Sequence, residues 1–199
     1  MSIRKIGKVR VRRQAGAARD NILNAAEKVL LEEGPLALKL SEVAAAAGVA
    51  NASVLHHFGS IDGLHAALME RMVAQLIADV MALGGEGGAR GDQQEAVFQA
   101  LFAVFEKRGA ARLAAWLELT GEWRRMTHIR EAVREVVLKR ASFGDVTPKQ
   151  AENLVLISVA LAMGVGLFGR SLAELMGSPP GRTRAVAAEV LRAYVGVRE

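Results

Sequence analysis

Cysteine is absent from this 199-residue chain, which excludes disulfides and thiolate-bound metal and is compatible with a reducing compartment. Aromatic residues are scarce at 5%, and there are only four prolines. No stretch alternates convincingly between polar and apolar residues with a period of two, so nothing argues for a sandwich or barrel. What the chain has in quantity is aliphatic: 51% of its residues are hydrophobic. The composition reads as an all-α protein, long enough for a full core and for two small helical units.

The formal net charge is +5, and its placement says more than its size. Arg4, Lys5, Lys8, Arg10, Arg12, Arg13 and Arg19 all precede the first acidic residue, Asp20. Residues 1–17 are expected to form a flexible basic arm. Such a run is often a solvated tail, yet it is equally suited to tracking phosphate or reaching into a minor groove. No apolar segment follows it in the manner of a secretory leader. The longest apolar run, Leu154–Phe168, is short of the roughly 20 residues a spanning helix needs. A soluble, cytoplasmic protein without membrane partners is expected.

The densest signal lies in Ser41–Phe58, SEVAAAAGVANASVLHHF. Val43, Ala46 and Ala47 offer a short apolar face, and Gly48 can leave a helix at positive φ without steric cost. Val54 and Phe58 then share one side of a following helix at i, i+4 spacing. Its other side, with Asn51, Ser53, His56 and His57, is small and polar, as a helix entering a major groove requires. A structural helical hairpin fits the same local spacing. Upstream, Ile22, Ala26, Val29 and Leu30 share a face before Gly34-Pro35 stops the helix. Downstream, Ser60 is placed to cap a long helix in which Leu64, Leu68, Met72, Leu76 and Val80 recur every fourth residue.

Taken together, RDNILNAAEKVLLEEG, SEVAAAAGVANASVLHHF and GSIDGLHAAL resemble the head of the TetR family of transcriptional regulators. The resemblance covers Arg19–Leu68, about a quarter of the chain. It implies a three-helix helix-turn-helix head over residues 18–64. A long helix would join it to a C-terminal helical domain, residues 65–199, for effector binding and dimerisation. It assigns DNA contact to Asn51, Ala52, Ser53, His56 and His57, with Lys39 and Ser41 beside them, and a helix-turn-helix behind the basic run favours the DNA-tracking reading for Arg12 and Arg13. Two positions depart from the family's pattern: Leu55 stands where a phosphate-binding tyrosine is usual, and Ile61 where a lysine is usual. The usual hydroxyl cap of the second helix is also missing near Leu38-Lys39, leaving Ser41 as a late candidate.

In the second half, the long helix should end near Leu83, before GGEGGARG. Asp92 is a candidate cap for a helix with Val97, Leu101, Val104 and Phe105 on one face and Phe98 and Phe102 on another. Gly109 and Gly121 bracket a helical stretch, Ala110–Leu119, and Thr127 is a candidate cap for Ile129–Arg140. Thr147-Pro148 with Gln150 is a strong helix start. The helix it opens is apolar on nearly all sides and must be covered on both faces. A last helix follows Gly177-Ser178-Pro179-Pro180, with Val186, Val190, Leu191 and Tyr194 on one stripe. By the resemblance, these last two helices pair with those of a second copy.

Three motifs have competing readings. Gly164-Val165-Gly166-Leu167-Phe168-Gly169 fits the dinucleotide-binding string, which would make the chain a small nucleotide-using enzyme. That reading needs a parallel sheet, whereas the Thr-Pro cap makes these glycines small residues of a closely packed helix. Adjacent histidines on a helix point about 100° apart, so His56 and His57 would not chelate together, and with only His65 and His128 besides, no metal or cofactor is expected. No nucleophile-base arrangement marks an enzyme. Phe98, Phe102, Trp116, Trp123, Met126 and Met163, with the polar groups Glu118, Glu122 and His128, are candidates for lining the family's effector pocket. Taken singly, each of the apolar residues is better read as core; as a set, with the two tryptophans flanking a glycine break, they point to a pocket. The expected partners are an operator duplex, a small-molecule effector and a second copy of the chain. A TetR-like interaction protein that has lost operator binding is the other alternative.

Overall fold

The computed structural model describes residues 3–83, 90–125, 129, 131, 133–135, 137–138 and 147–196, with side chains described from residue 16 onward except at 90, 91, 125 and 196. All regular structure among these is helical. The chain divides into two compact units, residues 1–68 and 69–199.

The first unit opens with α1, Ile3–Glu33, which ends at Gly34 with φ 90°. The residues expected as a flexible arm thus already belong to α1 from Ile3. Arginine, lysine, glutamine and alanine are good helix formers, and no proline interrupts them. Ile22, Leu23, Ala26, Val29 and Leu30 form the buried side of α1. A 3-10 turn, Pro35–Ala37, leads to α2, Leu40–Ala47. Val43 and Ala44 are the buried residues of α2, whereas Ala46, expected inward, is exposed. Lys39 occupies the N-cap with no side-chain bond. Ser41 is therefore not the cap: it lies inside the first turn, and its hydroxyl donates to Glu42 instead, at 3.3 Å.

Gly48 turns the chain with φ 67°, and α3 runs Asn51–Phe58. The long helix α4, Ile61–Leu83, starts where the Gly63 amide donates to the Ser60 hydroxyl at 3.0 Å. Leu64, Leu68, Met72 and Leu76 are buried along it, as their spacing requires.

In the second unit, α5, Arg90–Phe102, runs on through a π-helical turn, Ala103–Lys107. Because α5 begins at Arg90, Asp92 lies in the first turn rather than at the cap. Its inward face is Phe98, Leu101, Phe102 and Phe105, joined by Val104. Phe98 and Phe102 therefore share the face of Leu101 instead of forming a second one, since 98, 101, 102 and 105 are i, i+3, i+4, i+7. Next come α6, Ala110–Leu119, and a 3-10 turn, Glu122–Arg125. The candidate cap Thr127 lies outside the described residues.

Helix α7, Pro148–Leu175, is opened by the full capping box: the Gln150 amide donates to the Thr147 hydroxyl at 3.3 Å, and the Thr147 amide donates to the Gln150 side chain at 2.8 Å. It packs on α6, on α5 and its π turn, and on α8, Arg182–Gly196. At 28 residues α7 exceeds the apolar run visible in the sequence and is long and apolar enough to cross a membrane. Only 17% of its most apolar stretch is buried within the chain. On α8 the inward residues are Ala187, Ala188 and Leu191, while Val186 and Val190 are 40% and 42% exposed. Two alanines sit inward because they allow α8 to lie close to α7. The valines expected on the Leu191 stripe consequently face out.

The glycine string lies in the interior of α7. A Cβ at Gly166 would stand 2.6 Å from the Ala111 Cβ and 2.7 Å from the Phe105 carbonyl oxygen, and one at Gly169 would stand 2.7 Å from the Thr183 hydroxyl. These glycines admit neighbouring helices. No strand lies among the described residues, so the string has no sheet from which to form a nucleotide-binding turn.

Candidate nucleic-acid interface

Helix α3 is an eight-residue helix with its two sides sharply divided. Val54 is wholly buried, and Phe58 is half-buried with the Arg19 guanidinium 4.9 Å above its ring. On the other side Asn51, Ala52, Leu55 and His56 are exposed, with Ser53 and His57 half-buried at its margins. The Ser53 amide donates to the Ala50 carbonyl at 2.9 Å and the Gly59 amide to that of Leu55 at 2.8 Å, which fixes both ends of the helix. There is no acidic residue on α3, and both histidines lie in its last turn. The helix dipole favours positive charge there.

The helix is held in place by its neighbours. Asn21 on α1 donates from its side-chain amide to the Ala47 carbonyl at 2.9 Å, satisfying the end of α2 just before the turn into α3. Glycine is required at that turn, because its αL backbone is one that side chains with a Cβ rarely adopt. His65, buried in α4, holds the Leu38 carbonyl at 2.8 Å before α2 begins. His65 is thus a buried tie and not a metal ligand; a histidine on an otherwise apolar stripe is the sequence sign of it.

Of the other assigned residues, Lys39 and Ser41 are exposed beside the start of α2. Arg12 and Arg13 lie on α1, with their side chains outside the described residues. Leu55, at 42% exposure, belongs to the solvent face of α3 and not to the head's core, whereas Ile61 at the start of α4 is half-buried. The rings of His56 and His57 meet edge to face with centroids 5.4 Å apart. Among the described residues no group of three or more histidine or acidic side chains is placed to hold a metal ion.

The candidate effector residues in the second unit are dispersed in burial. Phe98 and Phe102 are 3% and 0% exposed, and Arg184 of α8 lies over the Phe102 ring at 5.9 Å. Trp116, Met163 and Glu122 are half-buried and Glu118 is exposed. Trp123 lies at the surface against Arg124, 5.3 Å from its ring. Met126 and His128 lie outside the described residues. Beside Phe102, Arg184 bonds Gln99 and pairs with Glu106 at 3.7 Å, while Arg192 pairs with Glu95 at 3.0 Å. Hydrogen bonds from Gln99 and Arg192 hold the Glu95 carboxyl below the usual carboxylate range.

This geometry, an exposed polar helix seated behind a glycine turn, defines a helix-turn-helix head. Residues 22–68 match the family model described as bacterial regulatory proteins, tetR family. Over 126 residues the chain is 29% identical to the HTH-type transcriptional regulator BetI of Rhizobium meliloti (strain 1021), covering 63% of this chain and 59% of that relative. A transcriptional regulator from Rhodococcus sp. Rha1 has a similar structure, with TM-score 0.68, 21% identity and coverage of 90% and 95% of the two chains. So does a TetR-family regulator from Streptomyces coelicolor, with TM-score 0.62, 22% identity and coverage of 92% and 99%. The multidrug binding protein EbrR, complexed with imidazole, gives TM-score 0.60 at 22% identity over 88% and 93% of the two chains. Residues 22–68 are thus similar to the head of the TetR family of bacterial regulatory proteins.

Proposed function

We propose that the protein is a homodimeric, ligand-responsive transcriptional repressor acting in the cytoplasm. The carrying observation is the exposed face of α3, Asn51, Ala52, Leu55 and His56, backed by the buried Val54 inside a head that matches the family model. Each head places α3 in a major groove, and two heads read a pseudo-palindromic operator. Asn51, Ser53 and His56 read base edges. His57, Lys39, Ser41, Arg12, Arg13 and the other N-terminal arginines position the phosphate backbone.

The second copy docks on the outward faces of α7 and α8. Leu156, Phe168 and Leu172 of α7 and Val186 and Val190 of α8 are all exposed in the single chain. Apolar side chains this numerous on adjoining helices favour a covered interface. A small molecule bound in the second unit, between residues drawn from Phe98, Phe102, Trp116, Trp123, Met126, Met163, Glu118 and His128, favours a conformation with its heads misplaced for the two half-sites. Such coupling requires different ligand affinities in the two conformations. The multidrug binding function of EbrR supports a ligand of this kind. Selection of duplexes from a random pool by the purified protein tests the reading: enrichment of an inverted repeat supports it. Weak, sequence-independent binding favours a TetR-like interaction protein instead, the reading that the missing donors at Leu55 and Ile61 motivate.

A further inference from the structure

We propose that Leu55 reads the C5-methyl group of a thymine in each half-site. The inference rests on the DNA-binding reading above and adds a specificity-determining residue to it. Leu55 is 42% exposed on the same face as Asn51, Ala52 and His56, while Val54 beside it is fully buried. The head core is therefore filled without Leu55, and its side chain is presented outward by a helix whose last turn is fixed through the Gly59 amide.

A leucine side chain has neither donor nor acceptor, so it makes no hydrogen bond to phosphate or to a base edge. In the major groove the thymine methyl is the apolar group that a base pair presents; the other features are hydrogen-bonding atoms. Against the methyl, Leu55 gains apolar burial on both sides. Against guanine, cytosine or adenine edges it strips water from polar atoms and returns no bond, which carries a penalty. Leu55 thus discriminates twice, by attraction to thymine and by exclusion of the other bases. Its i−4 neighbour Asn51 has the side chain suited to bidentate pairing with adenine N6 and N7. The two together read adjacent A·T pairs.

The test uses the full chain and a duplex selected by it from a random pool. Each thymine of the selected half-site is replaced by deoxyuridine, which lacks only the methyl group. At one position per half-site the replacement should weaken binding about fourfold, the worth of one buried methyl group. Leu55→Ala should bind the thymine duplex with a similar loss and be indifferent to uracil at that position. Because Leu55 is exposed, its alanine variant should melt with the wild type, which separates lost contact from lost fold. Uracil tolerance at every position of the wild type, or an unchanged uracil effect in Leu55→Ala, overturns the inference while leaving DNA binding intact. Failure to enrich any duplex overturns the DNA-binding reading itself.

Discussion

His65 donates from Nε2 to the carbonyl oxygen of Leu38 across 2.8 Å, with its ring only 3% exposed. The bond ties the first turns of α4 to the strap that precedes α2, and the carbonyl it satisfies has little access to water. His65→Leu keeps the apolar bulk and removes the donor. The expected cost is about 1–3 kcal/mol, the penalty for a buried acceptor left unpaired, read as a lower melting temperature. Melting unchanged from the wild type would show that the Leu38 carbonyl finds another partner.

Gly166 and Gly169 separate a rigid contact from a yielding one. A Cβ at 166 meets the Phe105 backbone carbonyl, whereas one at 169 meets first the hydroxyl of Thr183. Gly166→Ala should destabilise by about 1–3 kcal/mol through overpacking. Gly169→Ala should cost less, because a side chain can rotate where a backbone cannot. Thermal unfolding of the two variants checks the order, and equal costs would contradict this account of α7.

Val159 and Val190, 36% and 42% exposed, lie on the outward faces of α7 and α8. If the second copy docks there as proposed, Val159→Glu or Val190→Glu will divide the proposed dimer while each chain keeps its helices. Sedimentation with circular dichroism reads both quantities. A wild type that is monomeric at micromolar concentration contradicts the proposed seam.

Ile61 stands half-buried at the start of α4 with no charge to offer a phosphate. Ile61→Lys should tighten specific and non-specific binding alike, since phosphate contacts carry no direct sequence information. The slope of log affinity against log salt should steepen by about 0.9 per head. A lower melting temperature with no gain in affinity would show that Ile61 serves the packing of the head instead.

The head was legible because its signals are local. Gly48, Ser60 and the apolar spacing of α1 and α4 act within a turn or two, and each does what its chemistry requires. The side of a short helix is harder to read. In α2 the register of the helix buries Ala44 and exposes Ala46, and alanines give no pattern to tell them apart. On α8 the inward place went to Ala187 and Ala188 in preference to valines, because closeness to α7 outweighed side-chain hydrophobicity. The role of His65 was hidden for a related reason: its partner is a backbone carbonyl 27 residues away, which no spacing rule anticipates. The start of α1 at Ile3 is not legible, because a basic run is compatible with helix or tail and charge alone does not choose.

The central claim, that the exposed face of α3 reads DNA sequence, is tested most directly by Asn51→Ala on duplexes selected by the wild type. Asn51→Ala should lose about 1–3 kcal/mol at the base pair Asn51 reads, with discrimination relaxed at that pair alone. Affinity for non-specific duplex should be unchanged. Equal affinity of Asn51→Ala and wild type for every single-base variant of the selected site would contradict it.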